Sequence, residues 1–219
     1  DRSRRAAALE SLLARHPQPV RKEEVIDQFW PDWPLQKADG SLRVTLYRLR
    51  RGICPVGTES GWLSLELPGG VWYDVWEFGR LLHEAENARG DTKAQVQHYQ
   101  QAIDLYVGEL MEQVTAPWAM AEREKLSLEY QAALLSLAQL RGRLGRNELA
   151  IDLFRQVLAR QPYHEQAWQG LMSAQAGSGN RAAAMESFQQ LRRLLRDDLG
   201  VDPSPEMQWA YRQLLETMS

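Results

Sequence analysis

The sequence predicts a mainly α-helical chain in two parts: three helices and a small β-hairpin over residues 1–77, then a helical repeat domain over residues 78–219. Three observations predict it. Apolar residues recur at helical spacing up to about residue 53; the period turns to near-alternation between Trp62 and Leu67; and from Leu144 onward the chain echoes itself 34 residues later.

Leu9, Leu12 and Leu13 give the first helix its apolar side, and His16-Pro17 ends it. Val20 to Trp30 carries Val25, Ile26, Phe29 and Trp30 in register for a second helix, which Pro31 and Pro34 close. Asp39 or Ser41 is placed to cap a third, whose apolar stripe is Leu42, Leu46, Leu49 and Ile53. Ser60-Gly61 then marks a turn before Trp62, Leu63, Leu65 and Leu67, and Val71 to Val75 is rich in strand formers. Residues 53–75 therefore read as a hairpin with a short strand after it. Three helices followed by a hairpin is the order of a winged helix-turn-helix.

From about Trp76 the pattern is helical throughout. LGRNELAIDLFRQVL from Leu144 aligns with SGNRAAAMESFQQLR from Ser178, pairing Gly145 with Gly179, Ala150 with Ala184 and Phe154 with Phe188. Counting back, Leu134 pairs with Trp168 and Leu137 with Leu171. A small residue followed by an aromatic four later, at this period, is the tetratricopeptide pattern: the small residue lets paired helices approach and the ring fills the gap to the next pair. Ala102-Ile103-Asp104-Leu105-Tyr106 echoes Ala150 to Phe154 as a degenerate earlier copy, which brings the units to the three or so that such stacks need.

The formal net charge of −3 hides an asymmetry. Residues 1–52 hold 11 Lys and Arg against 7 Asp and Glu, and the remainder 15 against 22. A local polyanion surface is therefore allowed on an acidic chain. The single cysteine, Cys54, permits no internal disulfide and fits a reducing cytoplasm; no apolar run reaches a membrane span. The helical, charged N-terminus has no signal-peptide core and starts inside an apparent helix, as in a fragment of a longer chain. No GxxxxGK[ST] run is present, and Gly177-Ser178-Gly179 belongs to a turn between repeat helices. His16, His83, His98 and His164 show no metal spacing, and no carboxylate pair suggests acid–base chemistry. No catalytic residue, metal or cofactor is expected. Six tryptophans, Trp30, Trp62, Trp72, Trp76, Trp118 and Trp168, mostly sit in apolar patterns and are expected in the core, while the patterns around Trp33 and Trp209 leave their place open.

RKEEVIDQFWPDW, SLRVTLYRLRRGI, APWAMAEREKL and GVDPSPEM together resemble the Streptomyces antibiotic regulatory protein family, over about Arg4 to Leu215. The resemblance implies a winged helix of the response-regulator type joined to a bacterial transcriptional activator domain made of tetratricopeptide-like helix pairs. It departs from the family twice. The family has a small sheet before its first helix, for which this chain begins too late. It also carries a basic residue near the wing tip, where Gly57 to Leu67 has none and has Glu59 and Glu66.

The third helix holds the most telling charges: four arginines, Arg43, Arg48, Arg50 and Arg51, within nine residues. At 100° per residue, Val44, Tyr47, Arg48 and Arg51 lie opposite the leucine stripe, with Arg43 and Arg50 on one flank and Ser41 and Thr45 on the other. A solvated basic face is the plain alternative. A helix of this kind fits a major groove, where Arg takes two acceptors of one guanine and Val44 or Thr45 meets a thymine methyl. The flanking Arg43 and Arg50 would orient it on phosphates. The resemblance places Val44, Thr45, Tyr47, Arg48 and Arg51 in the groove. Lys37, Arg21 and Lys22 are weaker phosphate candidates, equally readable as surface charge.

The function expected is that of a cytoplasmic, sequence-specific transcriptional activator. Residues 1–77 would bind double-stranded promoter DNA. Residues 78–219 would contact RNA polymerase or a second copy, as a homodimer or in tandem on the direct repeats the resemblance implies. The alternative is a protein–protein adaptor whose winged helix is structural and whose repeat domain holds a peptide.

Overall fold

The computed structural model of this 219-residue chain describes residues 6, 8–10, 12–13, 18–51, 56–65, 74–109, 112 and 117–216. Ile53, Leu67, Trp72, His16-Pro17 and the side chain of Trp118, all used above, lie outside the described residues. Two compact units form: residues 1–79 with 107–127, and residues 80–106 with 128–219.

In the first unit, the helical residues 6, 8–10 and 12–13 precede strand β1 (Val20–Arg21), helix α1 (Lys22–Phe29), helix α2 (Leu35–Arg51) and the hairpin strands β2 (Val56–Glu59) and β3 (Trp62–Leu65). One apolar cluster holds them together: Leu9, Leu12 and Leu13 from the first helix, Val25, Ile26 and Trp30 around α1, Ala38, Leu42, Leu46 and Leu49 from α2, and Val20, Val56 and Leu63 from the sheet. Each buried leucine of this kind contributes about 1.5–3 kcal/mol relative to an exposed one, and the 3.6-residue spacing of the leucines puts them on one side of each helix.

Three local expectations are corrected. Val20 and Arg21 are not the start of a helix. They form a strand that pairs antiparallel with β3, Val20 opposite Leu63 and Arg21 opposite Trp62, giving a three-stranded sheet in the order β1-β3-β2. Pro34 opens a helix as well as following one: its carbonyl accepts from Lys37 and Ala38 N–H at 2.9 and 3.0 Å, and α2 begins a full turn before Asp39 and Ser41. Proline's fixed φ suits that position, where its missing N–H costs nothing. Val75 stands in helix α3 (Asp74–Asn87), not in a strand.

The second unit contains the later part of α3, helix α4 (Thr92–Leu105), helix α5 (Pro117–Arg143) from residue 128, and helices α6 (Asn147–Arg160), α7 (Glu165–Gly177), α8 (Arg181–Leu199) and α9 (Pro205–Glu216). The 34-residue register is visible in the packing. Ala150 and Ala184, Phe154 and Phe188, Leu134 and Trp168, and Leu137 and Leu171 are all buried, pair by pair. Gly145 and Gly179 both take positive φ, 70° and 85°, in equivalent turns, which is why glycine recurs there. Ala102 of the degenerate copy is buried too, and Tyr106 stacks on Tyr130 at 4.2 Å.

The GVDPSPEM stretch has a structural role. Gly200 closes α8 in the left-handed conformation, with Val201 N–H bonded back to Leu195 O at 3.3 Å. Ser204 then caps α9, its Oγ accepting from Met207 N–H at 3.2 Å, and Glu165 of α7 accepts from Ser204 N–H at 3.0 Å and from its hydroxyl.

Candidate nucleic-acid interface

The exposed side of α2 is built by elimination. Ala38, Leu42, Leu46 and Leu49 turn inward, so the residues between them face out: Val44 is 51% exposed and Tyr47 59%. These are large apolar groups presented to solvent on a stretch, Arg43 to Arg51, whose other exposed residues are all arginines.

The four arginines have four different surroundings. Arg43 pairs with Asp39 at 2.8 Å, one turn back, and Lys22 of α1 holds the other oxygen of the same carboxylate. That pair of cations, Lys22 first, keeps the Asp39 carboxyl below the usual carboxylate range. Arg50 leaves the helix sideways: its Nε donates to Val56 O at 2.9 Å and its Nη2 to Thr58 Oγ1 at 2.6 Å, both on the hairpin. Arg51 lies over Tyr47, 5.7 Å from its ring centroid, and donates to its hydroxyl at 3.2 Å. Arg48 makes no hydrogen bond or ion pair among the described residues. It is exposed, and with Lys37 and Val44 it lines a groove of about 370 Å³ that Trp30 and Trp33 complete. Lys37 sits over Trp33 at 4.2 Å.

The structure therefore gathers Lys37, Val44, Tyr47, Arg48 and Arg51 on one exposed side. Thr45 lines the same groove but is only 6% exposed. The Thr45 hydroxyl donates to Ser41 O at 2.8 Å, so its proton is used within its own helix. One expectation is corrected here: Trp62, expected in the core, is 41% exposed, because the pleat of β3 turns Leu63 inward and Trp62 outward, with the Arg21 guanidinium 5.0 Å above its ring. Sequence reasoning missed Asp39 and Trp62 as members of this surface. Only the i,i+4 spacing of Asp39 and Arg43 was there to be read.

Outside this face, Arg123 pairs with Glu109 at 3.8 Å. Among the described residues no group of His, Cys, Asp and Glu could hold a metal ion, and no helix is long and apolar enough to cross a membrane.

A three-helix unit with a three-stranded wing sheet, followed by a stack of paired helices, is a winged helix joined to a helical repeat domain. The chain belongs to the bacterial transcriptional activator domain family, whose profile matches residues 73–215. The resemblance to Streptomyces antibiotic regulatory proteins is borne out by the relatives. Regulatory protein AfsR of Streptomyces coelicolor is 31% identical over 216 residues, covering 96% of this chain but 22% of AfsR. Regulatory protein DnrI of Streptomyces peucetius is 28% identical over 206 residues, 87% of this chain and 76% of DnrI. The chain thus spans about a fifth of one relative and about three quarters of the other. The solved structure of Mycobacterium tuberculosis EmbR in complex with a low affinity phosphopeptide has the same fold, with a TM-score of 0.79 at 21% identity over 97% of this chain and 59% of that one.

Proposed function

We propose that this chain is the DNA-binding and activator portion of a sequence-specific transcriptional activator. Residues 1–77 bind promoter DNA and residues 78–219 contact RNA polymerase or a second copy of the chain on adjacent direct repeats. The observation that carries the reading is the outer side of α2, where Arg48, with no hydrogen bond or ion pair among the described residues, stands between exposed Val44 and Tyr47. In the major groove Arg48 reads a guanine, Val44 meets a thymine methyl, and Tyr47 and Arg51 complete the base-facing set. Arg43 and Lys37 hold phosphates; Arg50 serves by fixing the hairpin against the helix. Membership of a family of activator domains, and relatives named as regulatory proteins, support the same reading.

The test is a titration of the parent and of Arg48→Ala against a duplex selected by the parent from a randomised pool and against its scrambled version. Loss of one good guanine contact costs about 1–3 kcal/mol on the selected duplex and relaxes preference at one base pair. A folded Arg48→Ala that matches the parent on both duplexes refutes the reading.

One observation favours the adaptor reading. A groove of about 500 Å³ in the repeat unit is lined by Gln139, Arg143, Asn147, Gln166, Gln169 and Ser173, side chains able to pair with a peptide backbone. Peptide binding there would show little dependence on salt, whereas duplex binding falls steeply with it.

A further inference from the structure

The hairpin supplies no positive charge of its own: residues 56–65 contain neither Lys nor Arg and include Glu59. The strand beside it does. Arg21 of β1 is in register with Trp62 of β3, and its guanidinium carbon lies over the exposed indole, 5.0 Å from the ring centroid. Both side chains are exposed, and no carboxylate pairs with Arg21 among the described residues.

We propose that Arg21, held over Trp62, is the hairpin-side phosphate contact of the DNA-binding unit, taking a backbone phosphate that flanks the groove entered by α2. The inference rests on the reading of α2 as a groove helix. Position argues for it: the next residue, Lys22, shares Asp39 with Arg43, so Arg21, Lys22 and Arg43 make a basic strip from the sheet to the helix, broken by one carboxylate. Chemistry argues for it as well. A guanidinium stacked on a ring keeps its N–H edge outward and matches the oxygens of a phosphate, two at a time. Stacking also fixes a long side chain in advance, so less rotamer freedom is lost when the anion arrives. The same device recurs around α2, with Lys37 over Trp33 and Arg51 over Tyr47. Arg48 makes no such contact among the described residues. Glu59, opposite Trp62 on its other side, confines the anion to the Arg21 edge.

The test measures affinity for a random-sequence duplex and for the selected duplex between about 50 mM and 200 mM salt. Arg21→Ala weakens both by about 3- to 10-fold and lowers the slope of log affinity against log salt by about 1. Arg21→Gln, which keeps the size and loses the charge, gives the same slope change if the alanine variant unfolds. Trp62→Leu keeps the charge, so its slope matches the parent while its affinity drops about 2- to 5-fold. If folded Arg21→Ala and Arg21→Gln keep the parent's affinity and slope while Arg48→Ala loses the selected duplex, the inference falls and the reading of α2 stands. If the parent binds neither duplex, both fall.

Discussion

The guanidinium of Arg50 donates a 2.6 Å hydrogen bond to the hydroxyl of Thr58, and thereby joins the last turn of α2 to the first strand of the hairpin. With the bond from its Nε to Val56 O, the side chain is held at two points. An arginine in a run of arginines thus has a mechanical task that its neighbours lack.

Arg50→Ala should loosen the hairpin before it affects the helix. Hydrogen bonds from a charged donor are worth about 1.5–3 kcal/mol when shielded and less when exposed, as here, so a loss of about 1 kcal/mol is expected. Amide exchange over Val56 to Leu65 should accelerate while exchange over Leu42 to Leu49 changes little. Unchanged hairpin protection would mean that the bonds contribute nothing in solution.

Asp39→Asn should tighten binding to any duplex, because Arg43 and Lys22 are released from a carboxylate that now occupies both. The slope of log affinity against log salt should steepen. The same residue gives a pH dependence. Its folded pKa is depressed by Lys22 first and Arg43 next, so its contribution is present above the unfolded value near 3.8 and disappears as pH falls through the lower folded one. The melting-temperature difference between parent and Asp39→Asn should be constant from neutral pH down to about 4 and close below it. A difference that grows on acidification contradicts the assignment.

Phe154 and Gly170 should behave as one unit. A methyl group on Gly170 would run into the Phe154 ring, which lies against the bare backbone there. Gly170→Ala should cost about 1–3 kcal/mol by overpacking, and Phe154→Ala about 3–5 kcal/mol by leaving a cavity. In the double variant the new methyl meets no ring, so its cost should be clearly less than the sum. Additive losses by denaturant unfolding would mean that the ring sits elsewhere.

Ser204→Ala should unseat α9. It removes the cap on Met207 N–H and one of the two groups held by Glu165 of α7. Loss of such a cap costs about 0.5–2 kcal/mol. Limited proteolysis after α8 should therefore speed up, and Phe188, now stacked on Tyr211 at 4.0 Å, should become more exposed. A variant as resistant as the parent would show that the Phe188–Tyr211 stack alone seats the helix.

The sequence by itself determined the helices, the hairpin, the 34-residue repeat and the identity of the inner leucines. Each depends on spacing along the chain, and burial of an apolar side at a fixed period leaves a trace in every window of a dozen residues. Phe154 and Phe188 could be paired from the sequence because both helices meet the same packing requirement. Only the tertiary structure decided which cations remain available. Whether Arg43 is neutralised, Arg50 is tied to Thr58 or Arg21 rests on Trp62 depends on residues 4 to 41 positions away, brought close by folding. A two-residue strand such as Val20–Arg21 is too short to show a period, and its pairing with β3 comes from the partner strand. Thr45 shows the same limit within one helix: its place on the wheel suited a flank, and only the fold shows that it lines the groove while 6% exposed, with its hydroxyl bonded to Ser41 O. Periodicity tells which side of an element is buried; the availability of a polar group is set by what the fold puts within hydrogen-bonding reach of it.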